Sequence, residues 1–427
     1  MELNIQDLEK VLNVIRSYEG KIDKNFRIPL EEYEERYAKL WSKLAERNID
    51  LGFFFWYREM PGDGIYLTGY NPNIERASGV ISPNKRPMLL VGPESGLLST
   101  EVGLNLRTEF VNEFSIPDEY YEGLERADLT KVIFDYAGNI KRIGFLSASD
   151  LIPAKFMDFL KTSFGSDVEV VDCSDILEDM RYNKSENEFK CMEQADYIAC
   201  AAVRSMLAVS KPGVTETEIA AAGDFTIKAL GGCGYGFETI VNSGPRCRMV
   251  IGPATNRVVK EGELVQVGCS PSYEGYKGIS RRAYVVGKRS EIQEQYFEIL
   301  NSAYEIAQEA LEKTIREDLP SNYADVTPRT YLETQYINGK PMRPYHMYST
   351  CHGTGLTECN EKMVITPTKT EKYAENVGIM LDLGIYEYPD DQICGGCVED
   401  AYFKKGNTPV KVSDIPIDVQ NLVGKGI

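Results

Sequence analysis

A chain of 427 residues, 43% of them hydrophobic and 26% charged, is long enough for two domains that each bury a core. The net charge of −18 opposes binding to nucleic-acid phosphates. The longest strongly apolar run, residues 51–57, is far shorter than the roughly 20 residues that span a membrane. Composition therefore predicts a soluble globular protein with no nucleic-acid partner and no membrane partner.

The beginning of the chain and its cysteines predict a cytoplasmic protein. The first residues, MELNIQDLEK, are polar and acidic, unlike a signal or transit peptide. Ten cysteines in a chain of this length are too sparse for a small secreted disulfide scaffold, so we expect reduced thiols. The sequence contains two histidines, His346 and His352, which narrows the choice of metal ligands and acid–base groups.

The first 180 residues alternate between helical and strand patterns. Apolar residues at helical spacing predict two helices before residue 48, the second beginning near Pro29. Runs with the composition of strands follow, separated by helices and turns: IDLGFFFWY, RPMLLVG, RIGFLS and VEVVD. Residues 1–180 are therefore predicted to form an α/β domain.

Residues 181–427 show one arrangement of elements twice. Ser185 with Glu188 and Thr215 with Glu218 form capping-box patterns that begin two helices, and three short strands follow. A second pair of helical segments then precedes strands around HMYSTCHG, NVGIMLDLGIY and EDAYF. The pattern predicts a second domain of two halves, each built as helix, helix and strands.

Several short sequence motifs, and their order along the chain, resemble those of the family of methionine aminopeptidase, Xaa-Pro aminopeptidase, prolidase and creatinase. They are YLTGY, KPGVTETEI, FETIVNSG, CHGTGL, LDLGIY and GGCVED. The resemblance covers nearly the whole chain, and the stretch beginning GPATNRVVKEGEL is more similar to creatinase than to the peptidases. It implies an N-terminal creatinase/prolidase-type α/β domain followed by a pita-bread α+β catalytic domain with pseudo-twofold halves. It also implies a homodimer.

The resemblance implies an altered metal site. In the metallopeptidases of this family, two aspartates, one histidine and two glutamates hold two metal ions, and a bridging hydroxide is the nucleophile. The matching positions here are Gly268, Ile279, His352, Asp382 and Glu399. Because both aspartates are gone, we expect no dinuclear metal centre and no other cofactor.

Creatinase, which works without metal, also differs from this chain at its reacting groups. Its histidine base corresponds to Ile251, and a carboxylate of its second strand corresponds to Arg281. The resemblance therefore does not imply hydrolysis of creatine itself.

His352, Asp382 and Glu399 are the predicted catalytic residues. Histidine titrates at about 6.5 and suits proton transfer at neutral pH, although His352 could instead be a hydrogen-bonded relic. The two carboxylates could share a proton, bind a cationic group or hold a single metal ion with His352. The alternative is that they form ion pairs with neighbouring arginines.

Further candidates for substrate binding are arginines and cysteines. Arg248, Arg281 and Arg282 could bind a carboxylate or replace the lost cation, or they could form inert ion pairs. Cys269 and Cys359 map close to the altered positions, and Cys394 with Cys397 makes a C-x-x-C pattern; all four could instead be buried apolar side chains. Arg58 follows the aromatic strand of the first domain and is a candidate carboxylate ligand.

The leading hypothesis is a cytoplasmic, homodimeric, creatinase-like hydrolase that cleaves a C–N or related bond of a small amino-acid-derived molecule without a dinuclear metal centre. One alternative is an Xaa-Pro dipeptidase-, aminopeptidase- or lyase-like enzyme whose mononuclear metal site is rebuilt from His352, Asp382, Glu399 and cysteines. Another is a binding protein that keeps the fold without catalysis.

Overall fold

The computed structural model describes residues 3–102, 104–116, 121–165, 167–359 and 361–427. The chain divides into two compact units. One is Arg27–Arg181, and the other joins the residues up to Phe26 to Tyr182–Ile427. The junction between Arg181 and Tyr182 lies close to the expected boundary after residue 180. None of the described helices is long and apolar enough to cross a bilayer.

The helices begin and end as follows: Ile5–Glu19 (α1), Leu30–Glu46 (α2), Gly62–Thr68 (α3), Gly96–Val102 (α4), Leu129–Ala137 (α5), Ala154–Phe164 (α6), Ser174–Tyr182 (α7), Glu186–Val209 (α8), Glu216–Ala229 (α9), Glu291–Arg316 (α10) and Tyr323–Glu333 (α11). Both predicted capping boxes are present, at the first turns of α8 and α9. In each box the N-cap hydroxyl accepts a backbone N–H that the helix itself cannot satisfy.

The strands are Leu51–Trp56 (β1), Ala77–Ile81 (β2), Met88–Val91 (β3), Arg107–Phe110 (β4), Arg142–Phe145 (β5), Glu169–Asp172 (β6), Gly234–Tyr235 (β7), Ile240–Ser243 (β8), Leu264–Cys269 (β9), Pro271–Tyr273 (β10), Tyr276–Lys277 (β11), Ser280–Val285 (β12), Tyr336–Ile337 (β13), Lys340–Pro341 (β14), Cys351–Thr354 (β15), Asn376–Tyr386 (β16), Gly395–Lys405 (β17) and Thr408–Lys411 (β18).

The unit Arg27–Arg181 is an α/β layer structure around a sheet of order β4-β3-β2-β1-β5-β6. Its central strand β1 is buried along its whole length. The rings of Phe53 and Phe55 lie 5.1 and 5.0 Å from that of Phe156 on α6, in edge-to-face contacts. The aromatic residues of β1 therefore pack in the core of their own unit.

The first helix belongs to the other unit, and this differs from the predicted domain of residues 1–180. The apolar stripe of α1, formed by Val11, Val14, Ile15 and Tyr18, is buried, and α1 packs against α8. An amphipathic pattern predicts that a helix packs on a core, but not which core. That explains why the sequence pattern assigned α1 to the wrong unit.

The second unit is organised by an antiparallel sheet of order β15-β16-β17-β12-β9-β8, with β18 paired to β17. Strands β8, β9 and β12 follow the helix pair α8–α9, and β15, β16 and β17 follow the pair α10–α11. The two predicted halves meet where β17 pairs with β12. Residues from both halves, such as Leu264, Leu300, Ile379 and Val398, share one core cluster.

Loss of the cap of α9 will destabilise the second unit. The Thr215 hydroxyl accepts the backbone N–H of Glu218 at 3.2 Å, and the Glu218 carboxylate accepts the Thr215 N–H at 2.9 Å. We expect Thr215→Ala to lower the free energy of unfolding by about 1 kcal/mol in urea denaturation, with an unchanged m-value. Thr215→Ser keeps the hydroxyl and should retain most of the stability; equal loss in both variants would contradict a capping role.

Candidate active site

One row of side chains crosses four neighbouring strands of the large sheet. In the antiparallel register Asp382 of β16 lies opposite Glu399 of β17, which lies opposite Arg281 of β12, which lies opposite Gly268 of β9. Residues directly opposite one another share a face of the sheet. Positions far apart in the sequence are therefore neighbours on one surface.

His352 joins this row from the edge strand β15. It pairs with Met380, two residues before Asp382, so the two side chains point to the same face. Ligand-type atoms of His352, Asp382 and Glu399 all lie within 4.8 Å of one another. The structure thus brings together the three residues that the sequence predicted to be catalytic.

Arg281 lies among these groups. Its Nη1 is 3.3 Å from Glu399 Oε2 and 3.7 Å from Asp382 Oδ2. Its Nη2 donates to the Val250 carbonyl at 2.5 Å and to the Tyr386 hydroxyl at 2.7 Å. The Arg281 side chain is almost fully buried. These contacts hold its guanidinium beside Asp382 and Glu399.

Glu358 is a further member that the sequence did not reveal. Its Oε1 lies 3.7 Å from His352 Nε2, the same distance that separates this nitrogen from Glu399 Oε1. The imidazole therefore stands between two carboxylates. Glu358 lies in an irregular segment after β15, where no periodicity indicates a face; its position beside Cys359 was the one available signal.

Burial and the charge of Glu399 raise the pKa of Asp382 to about 7. Arg281, Tyr348 and His352 act in the opposite direction without cancelling the shift. A carboxyl group that titrates near neutrality can accept or release a proton at physiological pH.

Burial lowers the pKa of His352, but the charges of Glu358 and Glu399 outweigh burial and raise that pKa to about 9. Burial in turn raises the pKa of Glu358, against the opposing effect of the imidazolium. At that pKa the imidazole of His352 holds its proton near neutral pH. The sequence left open whether His352 is an acid or a base.

A shell of hydrogen bonds fixes the carboxylate of Asp382. The Tyr348 hydroxyl donates to Asp382 Oδ1 at 2.8 Å, and the Asp382 backbone N–H donates to the Thr350 carbonyl. The segment that carries Tyr348 is held by Arg329, which donates to the Tyr348 carbonyl and forms an ion pair with Asp325.

The structure does not bring Arg282 or Arg248 into the cluster. Arg282 follows Arg281 on β12 and so points to the opposite face, where it pairs with the buried Asp400 at 2.8 Å. Arg248 pairs with Asp391 at 2.8 Å, and both side chains are partly exposed. These contacts match the ion pairs that the sequence left open as the alternative to a substrate role.

The four candidate cysteines all have raised pKa values; Cys269, Cys394 and Cys397 are buried, and Cys359 is exposed. Cys269 lies opposite Ser280, on the other face from Gly268, and its sulfur contacts the Ala199 carbonyl. Burial raises the pKa of Cys359 to about 12 and that of Cys394 to about 11. Burial raises the pKa of Cys397 to about 12; this residue shares the face of Glu399. Cys394 and Cys397 are free thiols. None of these groups has the low pKa of a nucleophilic cysteine.

The remaining sequence candidate, Arg58, is an exposed residue of the unit Arg27–Arg181. Ile251, at the position of the creatinase base, is also exposed, at 59%. Ile279 is buried, and its backbone N–H donates to Asp196. Neither isoleucine side chain has an atom that can bind a metal ion or accept a proton.

A dinuclear metal site does not fit the residues present. Two of the five expected ligand positions, Gly268 and Ile279, carry no ligand atoms, and the guanidinium of Arg281 lies against both remaining carboxylates. His352, Asp382 and Glu399 have the spacing for one ion, but a divalent cation among them would face the positive charge of Arg281.

Comparison with known proteins agrees with this architecture. A model of metallopeptidase family M24 matches residues 190–405, just over half of the chain. An Xaa-Pro dipeptidase of Pyrococcus horikoshii is 28% identical over 324 residues, which cover 75% of this chain and 85% of the relative. An Xaa-Pro dipeptidase of Pyrococcus furiosus is 27% identical over 353 residues, covering 83% and 91%.

Solved structures share the fold. The prolidase from Pyrococcus horikoshii gives a TM-score of 0.72 at 22% identity, covering 90% of this chain and 99% of that chain. The X-Pro aminopeptidase from Thermotoga maritima gives 0.74 at 20% identity, with the same coverage. The predicted α/β architecture with a pita-bread domain is confirmed.

The segment that supports Asp382 will lose stability in mild acid through His346. Burial, aided by Arg329, lowers the pKa of His346 to about 4 from its ordinary 6.5. Between pH 6.5 and about 4, His346 therefore binds a proton in the unfolded chain but not in the folded chain. Stability from this group is complete above pH 6.5 and is lost as the pH falls toward 4, by up to about 3 kcal/mol.

Urea denaturation of wild type and His346→Gln across this range measures the effect. Other groups titrate equally in both proteins, so the difference between the two curves isolates His346. We expect the wild type to lose more stability than the variant on acidification. Parallel curves would contradict a neutral, buried His346.

Proposed function

The chain belongs to metallopeptidase family M24 and is a hydrolase of C–N bonds, and we propose that it acts on a small Xaa-Pro-type peptide without a pair of metal ions. The observation that carries this proposal is the cluster of Asp382, Glu399, His352 and Arg281 on one face of the sheet. The relatives named Xaa-Pro dipeptidase favour a peptide over the creatinase-type substrate that the sequence first suggested.

The carboxylate pair supplies the base. Asp382 and Glu399 are opposite one another on paired strands, and neighbouring carboxyl groups in a buried site share a proton because both cannot ionise cheaply. With its pKa raised to about 7, Asp382 is ionised in a large fraction of molecules at neutral pH. In that form it can take a proton from a water molecule.

The two cationic groups supply the acid and the electrostatic stabilisation. Protonated His352 and the guanidinium of Arg281 are fixed N–H donors beside the carboxylates. Preorganised donors stabilise the negative charge that develops on a carbonyl oxygen under attack. They need no reorganisation during the reaction, because the ion pairs already hold them in place.

The proposed reaction has two steps. Water attacks the carbonyl carbon of the scissile amide, its proton passes to the carboxylate pair, and the carbonyl oxygen becomes an oxyanion near His352 and Arg281. The intermediate then collapses: the C–N bond breaks, a proton from the site reaches the leaving nitrogen, and a carboxylic acid and an amine are released.

Burial of the cluster differs from one member to the next. The side chains of His352 and Glu358 are each 13% exposed, Asp382 is 9% exposed, and Glu399 is 2% exposed. A substrate therefore meets His352 and Glu358 before it reaches the carboxylate pair. Glu358 is a suitable acceptor for the ammonium group of a dipeptide.

A panel of small substrates tests the proposal. We expect the wild type to hydrolyse Xaa-Pro dipeptides in preference to creatine, betaines and sulfonium compounds. Asp382→Asn should lower kcat/KM by roughly 100- to 10,000-fold, because it removes the base while preserving shape. Arg248→Ala, outside the cluster, is the matched control and should retain activity.

The outcomes of the panel separate the alternatives. Turnover of creatine-like compounds without peptides would favour a creatinase-type enzyme. Activity that appears only with added divalent metal would favour a rebuilt mononuclear site. A folded wild type that hydrolyses none of these compounds, yet binds one of them, would contradict catalysis and favour a binding protein.

The pH profile tests the assignment of acid and base. We expect kcat/KM to rise through about pH 7 as Asp382 loses its proton, and to fall through about pH 9 as His352 loses its own, in accord with their pKa values. His352→Gln should abolish the alkaline limb in whatever activity remains. An alkaline limb that survives this change would rule out His352 as its source.

A further inference from the structure

We propose that the guanidinium of Arg281 is a permanent, covalently attached cation that takes the place of metal ions in this site and excludes them. This inference concerns which cation the cluster holds. It rests on the metal-free part of the proposed function but not on the identity of the substrate, and its test measures metal binding and not activity.

The first observation is that several partners hold the guanidinium of Arg281 in place. Its N–H groups reach the Glu399 carboxylate, the Val250 carbonyl and the Tyr386 hydroxyl, with Asp382 next to them. The Tyr386 hydroxyl in turn donates to Gln266. All of these partners except the partly exposed Val250 are buried, and they come from β9, β16, β17 and the segment before β9. The guanidinium is therefore fixed against the sheet.

The second observation is that Gly268 and Arg281 are mutually dependent. A Cβ atom on Gly268 would lie 2.2 Å from Arg281 Cγ and 3.1 Å from its Cβ. Carbon atoms do not approach so closely, and Arg281 cannot move aside while its guanidinium is held. An aspartate at position 268 and an arginine at position 281 therefore exclude each other. The lost carboxylate and the gained cation are one structural change.

The third observation comes from the adjacent arginine. Arg282 is also fully buried and pairs with a carboxylate, Asp400, but on the opposite face of the sheet. Burial of an arginine on β12 is therefore not special in itself. What distinguishes Arg281 is its position against Asp382 and Glu399, two of the three groups that could otherwise ligate an ion.

Electrostatics favours exclusion of a second cation. Asp382 and Glu399 each have a positive neighbour in the guanidinium of Arg281. A divalent ion at the same carboxylates would be repelled by the guanidinium at a separation of a few ångströms, in a poorly screened interior.

Metal binding by the full-length chain tests the inference without any activity assay. Protein freed of metal with a chelator is dialysed against Co²⁺ and, separately, Mn²⁺, and bound metal is measured by mass spectrometry and by cobalt absorption. We expect the wild type to retain none at the cluster. Arg281→Ala should bind Co²⁺ about 100-fold more tightly or better, because the repelling charge is gone.

The double variant Gly268→Asp, Arg281→Ala adds a fourth ligand in the vacated space and should bind more tightly still. Gly268→Asp alone should be strongly destabilised, and the second change should relieve that loss. Arg282→Ala is the matched control: it removes a buried arginine of the same strand, and should lose stability without gaining metal affinity.

Tight binding of one Co²⁺ or Mn²⁺ per wild-type chain, lost in His352→Ala, would overturn the inference even if no Arg281 variant folds. Equal metal affinity of wild type and Arg281→Ala would overturn it as well. Should Arg281→Ala fold only when Co²⁺ is present, the ion and the guanidinium would be shown to play the same part.

Discussion

The ion pairs of Arg281 with Glu399 and Asp382 are the interaction on which the site depends. Two carboxyl groups placed opposite one another in a buried sheet would repel each other and lose their hydration. A positive charge between β12 and the β16–β17 pair compensates for both effects. The same charge limits the rise in the pKa of Asp382, because burial and Glu399 raise that pKa and Arg281 lowers it.

Hydrogen bonds and an ion pair around the row hold Asp382 in one arrangement. Asp382 is held by Tyr348 through its side chain and by Thr350 through its backbone. Thr350 also donates to Asp325, which forms a two-nitrogen ion pair with Arg329. The hydrogen-bonded support of Asp382 thus reaches into α11, which carries both Asp325 and Arg329.

The sequence predicted the architecture well and the site in part, and the difference has physical causes. The sequence motifs around His352, Asp382 and Glu399 lie on strands. In strands the register and the two-residue period determine which side chains are neighbours, so the clustering of these three residues could be predicted. The same alternation requires Arg281 and Arg282 to face opposite ways, but it does not say which faces the site. Glu358 lies in irregular backbone and had no pattern to reveal it.

The close approach of Gly268 to Arg281 also restricts how such a sequence can change over time. Residues 268 and 281 cannot be replaced in an arbitrary order. A carboxylate cannot return at 268 while the long side chain remains at 281, so the arginine must shorten first. That step leaves two buried carboxylates without their partner until an ion arrives. The two positions are therefore coupled, and any stepwise route from this site to one with a carboxylate at 268 passes through a form with two unpaired buried carboxylates.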